Sequence, residues 1–577
     1  MKHFLLGLAV ILAFGMQACS SQSAKAQEDT VRIRWARDPE NLDPLLAPNP
    51  NSLEAINLLY CSLLTVDYQE KKFVPWLAEA LPQVQRKDSL TVVTYRIRPE
   101  ATWDNGQPVL AHDVAFTLKM MFCPGLPNES FRAQYGFIRA IQLDPTDARR
   151  FSLTFRGHSP ELVQGSGDYS IFPEHVLDPQ RQLRFIPLAE LQRSAGVASK
   201  FQQVAARFAQ RYAQARLSRR SVGCGPYQLT DWQTGRYVMF RRKANWWGKK
   251  VAAAPAQLQA RPAVLNYEII TDDATALLAL RRGDVDVYPM VPADDFLRLR
   301  QDTATSGLRL YVADSYDMLT AGFNTRHPML QDARTRQALG YLFNVAGLIQ
   351  ASQKGMAYPS ASLISPAAGP LYNDSLPLPV FSPRQAKASL RQAGWRQGPQ
   401  GWTRQLGGRA LQRLELTFSY RAGDPAYEAV VLQFRTAAAE LGIPVQPRPT
   451  EASLLTKQMR AGDLQMYLQM LGGNPFIYNF VPILHSQSIG WGNSTRFGSP
   501  ASDQLIDAIA IEAQPARQAQ LLRRFQRLLR QESPLVVLYF LKHRLAAASR
   551  LSNLHVTGLR PGYEAAAIES KPTANRP

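Results

Sequence analysis

Apolar and polar positions along the chain switch repeatedly between a period of two and a period near 3.6. Thr91 to Arg98 alternates, with Val93, Tyr95 and Ile97 on one face, which predicts a strand. Asp104-Asn105-Gly106 follows as a turn, since Asn-Gly tolerates positive φ. Asp113 to Phe122 then carries Val114, Leu118 and Met121 at helical spacing. The same succession recurs downstream. Asp273 is expected to cap a helix that packs through Leu277, Leu278 and Leu280 and ends at Gly283, with a strand through Val285 and Val287 after it. Asp332 is expected to cap a helix whose stripe is Leu339, Leu342, Phe343, Ala346 and Ile349. Phe418 falls in a predicted strand and Val430 to Leu441 in a predicted helix; Gly442-Ile443-Pro444-Val445 enters another strand. Strands and helices mixed in this way predict an α/β architecture. Leu188 to Leu217 breaks the rhythm. It is rich in Gln, Ala and Arg, with Phe201, Val204, Phe208 and Tyr212 three or four apart, and reads as a surface helix or hairpin between lobes.

The N-terminus changes the picture by setting a compartment. Phe4 to Phe14 is apolar apart from Gly7 and follows a basic Lys2. That run is too short for a membrane-spanning helix, which needs about 20 apolar residues, and it reads as a signal peptide. Two cleavage sites compete. Met16-Gln17-Ala18-Cys19 resembles a lipobox, which makes residues 1–18 the signal peptide, Cys19 the lipidated residue and 19–30 a flexible polar tether. Ala24-Lys25-Ala26 is an ordinary secretion site. Past Cys19, Cys61, Cys123 and Cys224 remain, which allows one disulfide and one free thiol in an oxidising compartment. The formal charge of +20 is spread along the chain, so it marks no nucleic-acid site, and export removes that partner. The 8 His form no paired metal motif, and no nucleophile triad or phosphate loop stands out. Catalysis, a metal and a cofactor are therefore not expected.

Seven segments in order resemble extracellular solute-binding protein family 5, the peptide- and nickel-binding subunits of ABC importers. They are Val74 to Leu81; Tyr95-Arg96-Ile97-Arg98 with Trp103 to Pro108 and Ala111 to Phe116; Val222 to Tyr227; Leu280 to Asp286; Gly322 to Leu339; Ala386 to Trp395; and Pro534 to Tyr539. Two departures are Leu110 where the family has a capping Thr, and Cys224 in the family's G-T-G-P-Y. The resemblance implies a type II periplasmic binding fold: two α/β lobes that close across a hinge, plus a third subdomain inserted in the first lobe. It assigns 31–285 and 530–568 to lobe I, with the insertion at about 56–215, and 286–529 to lobe II, leaving 569–577 as a disordered tail. It implies a substrate-binding lipoprotein, monomeric, on the periplasmic side of the cell envelope. It would capture a peptide or other small solute for separate permease and ATPase subunits. A saccharide or a metal chelate is the alternative solute; an envelope hydrolase or chaperone is the alternative of another class.

In peptide-binding relatives an Asp in a loop of the second lobe holds the ligand's α-amino group. Here that loop is Tyr467 to Pro475, and no acid precedes Pro475. A buried ammonium without a carboxylate is costly, so Asn474 is left to bond a neutral or zwitterionic group. Arg421 is the candidate for a ligand carboxylate. Tyr316, Phe476 and Trp491 are candidates to pack ligand side chains, and His485 is the histidine nearest the loop. Growth with a fatty-acid probe should label the protein and not its Cys19→Ala variant; an unlabelled parent would point to cleavage after Ala26.

Overall fold

The computed structural model describes residues 29–46, 49–193, 196–215, 222–251, 258–405 and 411–570. The expected signal peptide, Cys19 and most of the expected tether lie outside that range. Alternation builds the strands of the main sheet: β1 (Thr30–Trp35), β2 (Tyr227–Gln233), β3 (Tyr237–Arg242), β4 (Val264–Ile269), β5 (Val287–Pro289), β6 (Leu308–Phe323), β7 (Leu416–Arg421), β8 (Val445–Thr450), β9 (Met466–Gly472) and β10 (Leu535–Ala548). Their order is β8-β7-β9-β6-β10-β5-β1-β4-β3-β2, with Ala357–Tyr358 also paired to β10. β7, β8 and β9 run parallel at one end, and β1 runs parallel to β4 and β5 at the other.

The centre is different. β6 and β10 run antiparallel from Leu308 opposite Ala548 to Gly322 opposite Leu535. One end of the pair feeds a core holding Val31, Ile33, Leu265, Leu545 and Ala547. The other end feeds a core holding Leu319, Ala321, Phe418, Phe434 and Tyr539. The register shifts twice along the pair, between Asp314 and Met318 and between Leu319 and Thr320. Such irregularities bend a strand and strengthen its twist.

A second, four-stranded sheet (Gln83–Lys87, Leu90–Arg96, Arg150–Arg156 and Ile138–Leu143) covers helix α1 (Ala111–Phe122). The turn before α1 uses Gly106 at φ +82°. Asp113 compensates for the absent Thr cap, because its Oδ2 accepts the Leu110 amide at 2.9 Å while its Oδ1 accepts that of Glu174. The Gln-rich stretch forms a short helix at Leu188–Leu191 and a long one, α2 (Ser199–Ala215). α2 buries Phe208 and Tyr212 in the core under the second sheet rather than bridging two lobes, and Phe208 meets Phe116 edge-on.

Several elements differ from expectation for local reasons. Asp272, not Asp273, caps α3 (Asp273–Arg282) by accepting the Thr275 amide, and Asp273 is taken by Arg34 and the Tyr288 hydroxyl. The stripe after Asp332 splits into Ala333–Gly340 and Val345–Gln353, because Asn344 caps the second helix through the Gly347 amide; Ala346 is exposed. Glu569 and Ser570 pair with Ser552 and Leu551, so the first two residues of the expected tail are ordered; 571–577 lie outside the described range. Cys61, Cys123 and Cys224 are buried free thiols, and Cys61 Sγ donates to the Cys224 carbonyl at 3.2 Å, so the allowed disulfide is not formed.

Asp286 ties the two ends of the chain together. It is 1% exposed and accepts from the Arg32 amide, from Arg32 Nε and Nη2, and from Arg550 Nη2 at 2.8 Å. Removing it takes away the acceptor of two partly exposed guanidinium groups and of the Arg32 amide. Asp286→Ala should lower the unfolding free energy by about 2 kcal/mol, the scale of losing hydrogen bonds to a charged group, and Asp286→Asn by less. Urea denaturation of the two variants measures the difference.

Candidate ligand-binding cleft

The four-stranded sheet unit and the segment after β9 face each other across a cavity of about 980 Å³. That is at the top of the usual range for small-molecule pockets, about 300–1,000 Å³. Phe122, Glu129, Arg132, Tyr135, Phe137 and Glu161 line one wall; Asn474, Ile477, Gln487, Trp491 and Asp507 line the other. Both walls mix aromatic, amide and charged groups, as suits a solute with a polar backbone and apolar branches.

Glu161 joins the walls. It sits in the first turn of the helix Pro160–Gly165, and its Oε2 accepts the Tyr478 amide at 2.8 Å. Its Oε1 accepts Gln518 Nε2 at 2.6 Å, from helix α4 (Pro515–Glu532). Burial pushes the carboxyl up to about 7, and these two donors pull it only part of the way back. Burial also raises Asp168 to about 7, although the Tyr135 hydroxyl donates to it at 3.0 Å. Both acids are therefore committed to protein donors. Asp507, 64% exposed, lies 3.7 Å from His485 Nε2. Among the described residues no cluster of three metal-ligating side chains occurs.

Of the residues picked out from sequence, Asn474 and Trp491 line this cavity. Asn474 Oδ1 accepts the Phe476 amide at 2.8 Å, which orients the side chain and leaves its amide nitrogen available to a ligand. Phe476 packs edge-on against Phe73 at 5.4 Å. Tyr316 holds the loop through its backbone, its carbonyl accepting the Gly473 amide at 2.8 Å. Arg421 stands away from the cavity lining at the carboxyl end of β7, ion-paired to Asp424 at 2.6 Å and lying over the Tyr427 ring. Glu161 escaped the sequence reading because nothing local marks it: its partners lie 317 and 357 residues away.

A model of the bacterial extracellular solute-binding proteins, family 5 Middle, matches residues 72–489. Protein XP55 of Streptomyces lividans is 24% identical over 559 residues, which cover 95% of this chain and 91% of that protein. The nickel-binding periplasmic protein of Escherichia coli (strain K12) is 24% identical over 469 residues, covering 80% and 79%. The oligopeptide-binding protein of Thermus thermophilus, solved with a pentapeptide, superposes with a TM-score of 0.76 at 20% identity, covering 94% of this chain and 96% of that one. The shared architecture is the type II periplasmic binding fold.

The raised Glu161 carboxyl sets a pH dependence. The folded chain keeps that proton to about pH 7, whereas the unfolded chain releases it near 4.5, so this group's contribution to stability falls as pH rises through that window. Glu161→Gln keeps a carbonyl for Tyr478 and removes the titration. The melting temperature of the variant relative to the parent should rise between about pH 4.5 and 7 and then level off; a flat difference would refute the assignment.

Proposed function

Because this chain belongs to the bacterial extracellular solute-binding proteins of family 5, we propose that it captures a peptide or peptide-like solute for an ABC importer. The permease and ATPase would be separate subunits, and the exported chain would stand, as a monomer tethered through lipid on Cys19, at the periplasmic side of the membrane. Lobe I is assigned to 31–285 and 530–568, with 56–215 inserted, and lobe II to 286–529. No cofactor and no catalytic step enter this reading.

The observation that carries it is the two-walled cavity, whose mixed lining suits a polar chain with apolar branches. β6 and β10 support the motion. They enter both halves of the sheet, and their register shifts at Asp314 to Thr320 are where bending is cheapest. Closure about them would be a population shift driven by ligand contacts made to both walls at once. A lipid tether would keep the captured solute near its permease and raise its effective concentration.

Capture of a metal chelate is a second reading, favoured by the similarity to a nickel-binding protein. A chelate brings most of its own ligands, so a three-residue metal cluster is not needed. Native mass spectrometry of the protein purified from its own cells separates the two readings. Peptide masses are expected, and finding only metal complexes or saccharides would sink the peptide reading. Trp491→Ala and Asn474→Ala should each weaken binding of a mixed tripeptide pool by about tenfold, the effect of losing one good contact.

A further inference from the structure

We propose that Arg560, fixed by Asp317 beside the Gly472–Asn474 loop, is a ligand-binding residue that takes a carboxylate of the captured solute. The proposal rests on the reading of the chain as a solute-binding protein.

Arg560 lies on the loop after β10, and its Nε donates to Asp317 Oδ1 at 2.7 Å. The other oxygen of Asp317 faces His543 Nε2 at 3.0 Å, and His543 Nδ1 faces the Thr557 carbonyl at 3.0 Å. Both imidazole nitrogens thus face oxygen atoms inside the fold. Asp317 holds the imidazole with one oxygen and the Arg560 guanidinium with the other. Burial raises the Asp317 carboxyl, and His543 and Arg560 more than offset this, so it sits below its ordinary value and stays ionised. Asp317 and His543 are each 3% exposed, whereas the Arg560 side chain is 35% exposed.

The guanidinium lies against the loop. A Cβ added at Gly472 would sit 3.5 Å from Arg560 Cζ and 3.5 Å from Asp317 Oδ1. Among the described residues, no protein acceptor meets Arg560 Nη1 or Nη2. The neighbouring Asn474 adds amide N–H donors, and its carbonyl already accepts from Phe476. Donors from two side chains, Arg560 and Asn474, therefore gather at the loop. A guanidinium pinned by its Nε and open at both Nη atoms matches a carboxylate through paired charge-assisted hydrogen bonds. It repels an ammonium.

The test uses the full chain and two probes. A mixed tripeptide pool with free carboxyl ends should bind the parent roughly tenfold or more tighter than the same pool as C-terminal amides, the scale of one charge-assisted pair. Arg560→Gln should erase that preference and Arg560→Lys should restore part of it, with melting curves showing each variant folded. Equal binding of both pools, or a preference that survives Arg560→Gln, overturns the proposal while the peptide reading stands. If neither pool binds, the peptide reading fails and succinate decides. Succinate should then raise the melting temperature of the parent and not of Arg560→Gln; no shift in the parent overturns the proposal.

Discussion

The antiparallel pairing of β6 with β10 is the constraint on which the rest of the molecule depends. Two strands of 16 and 14 residues, far apart in sequence, must lie side by side so that each can enter two cores. Their backbone hydrogen bonds hold the halves of the sheet in one register, and a slip of one residue would turn every buried side chain outward. Leu319 and Ala321 are buried toward one core and Leu545 and Ala547 toward the other, so both ends enforce the same register. The shifts near Asp314 to Thr320 are tolerated because they fall between the two buried ends. They also aim Tyr316 and Asp317 at the loop after β9, which bounds the cleft.

The cleft follows from that frame through how its acids are used. Glu161 gives both oxygens to donors from the opposite wall, and Asp317 gives both to Arg560 and His543. A carboxylate with both oxygens already engaged by protein donors is a poorer receptor for a ligand amine than an open one. What stays open at the loop is donor capacity, on Asn474 and Arg560. The architecture matches that of peptide-binding proteins, while the polarity of the loop suits an acceptor group on the solute. Local loop chemistry on a shared scaffold is where such differences arise, because the scaffold carries the packing and the loop carries the contacts.

Much of the frame was legible from local pattern. The turn at Gly106, the cap at Asp332, the stop at Gly283 and the alternation through Val93 and Tyr95 each depend on a few neighbouring residues, and each occurs. Misreadings also have local causes. Asp272 and Asp273 are adjacent acids, and only the tertiary position of Arg34 shows which one is free to cap. The stripe through Phe343 reads as continuous because apolar spacing alone does not register that Asn344 prefers to start a new helix. α2 reads as a surface element from its Gln and Arg content, yet Phe208 and Tyr212 are enough to bury one face of it.

The sequence by itself determined the kind of protein: periodicity set an α/β chain, and ordered motifs set its family. It also determined that the loop before Pro475 holds no acid, since that is a matter of composition. Tertiary structure alone decided what surrounds the loop. Asp317, His543 and Arg560 lie on segments up to 243 residues apart, and no period or motif links them. Short-range hydrogen bonds and steric limits on φ and ψ act between neighbours and leave a signature in sequence. Charge compensation acts through space, and it becomes visible only when the two crossing strands bring those three side chains together.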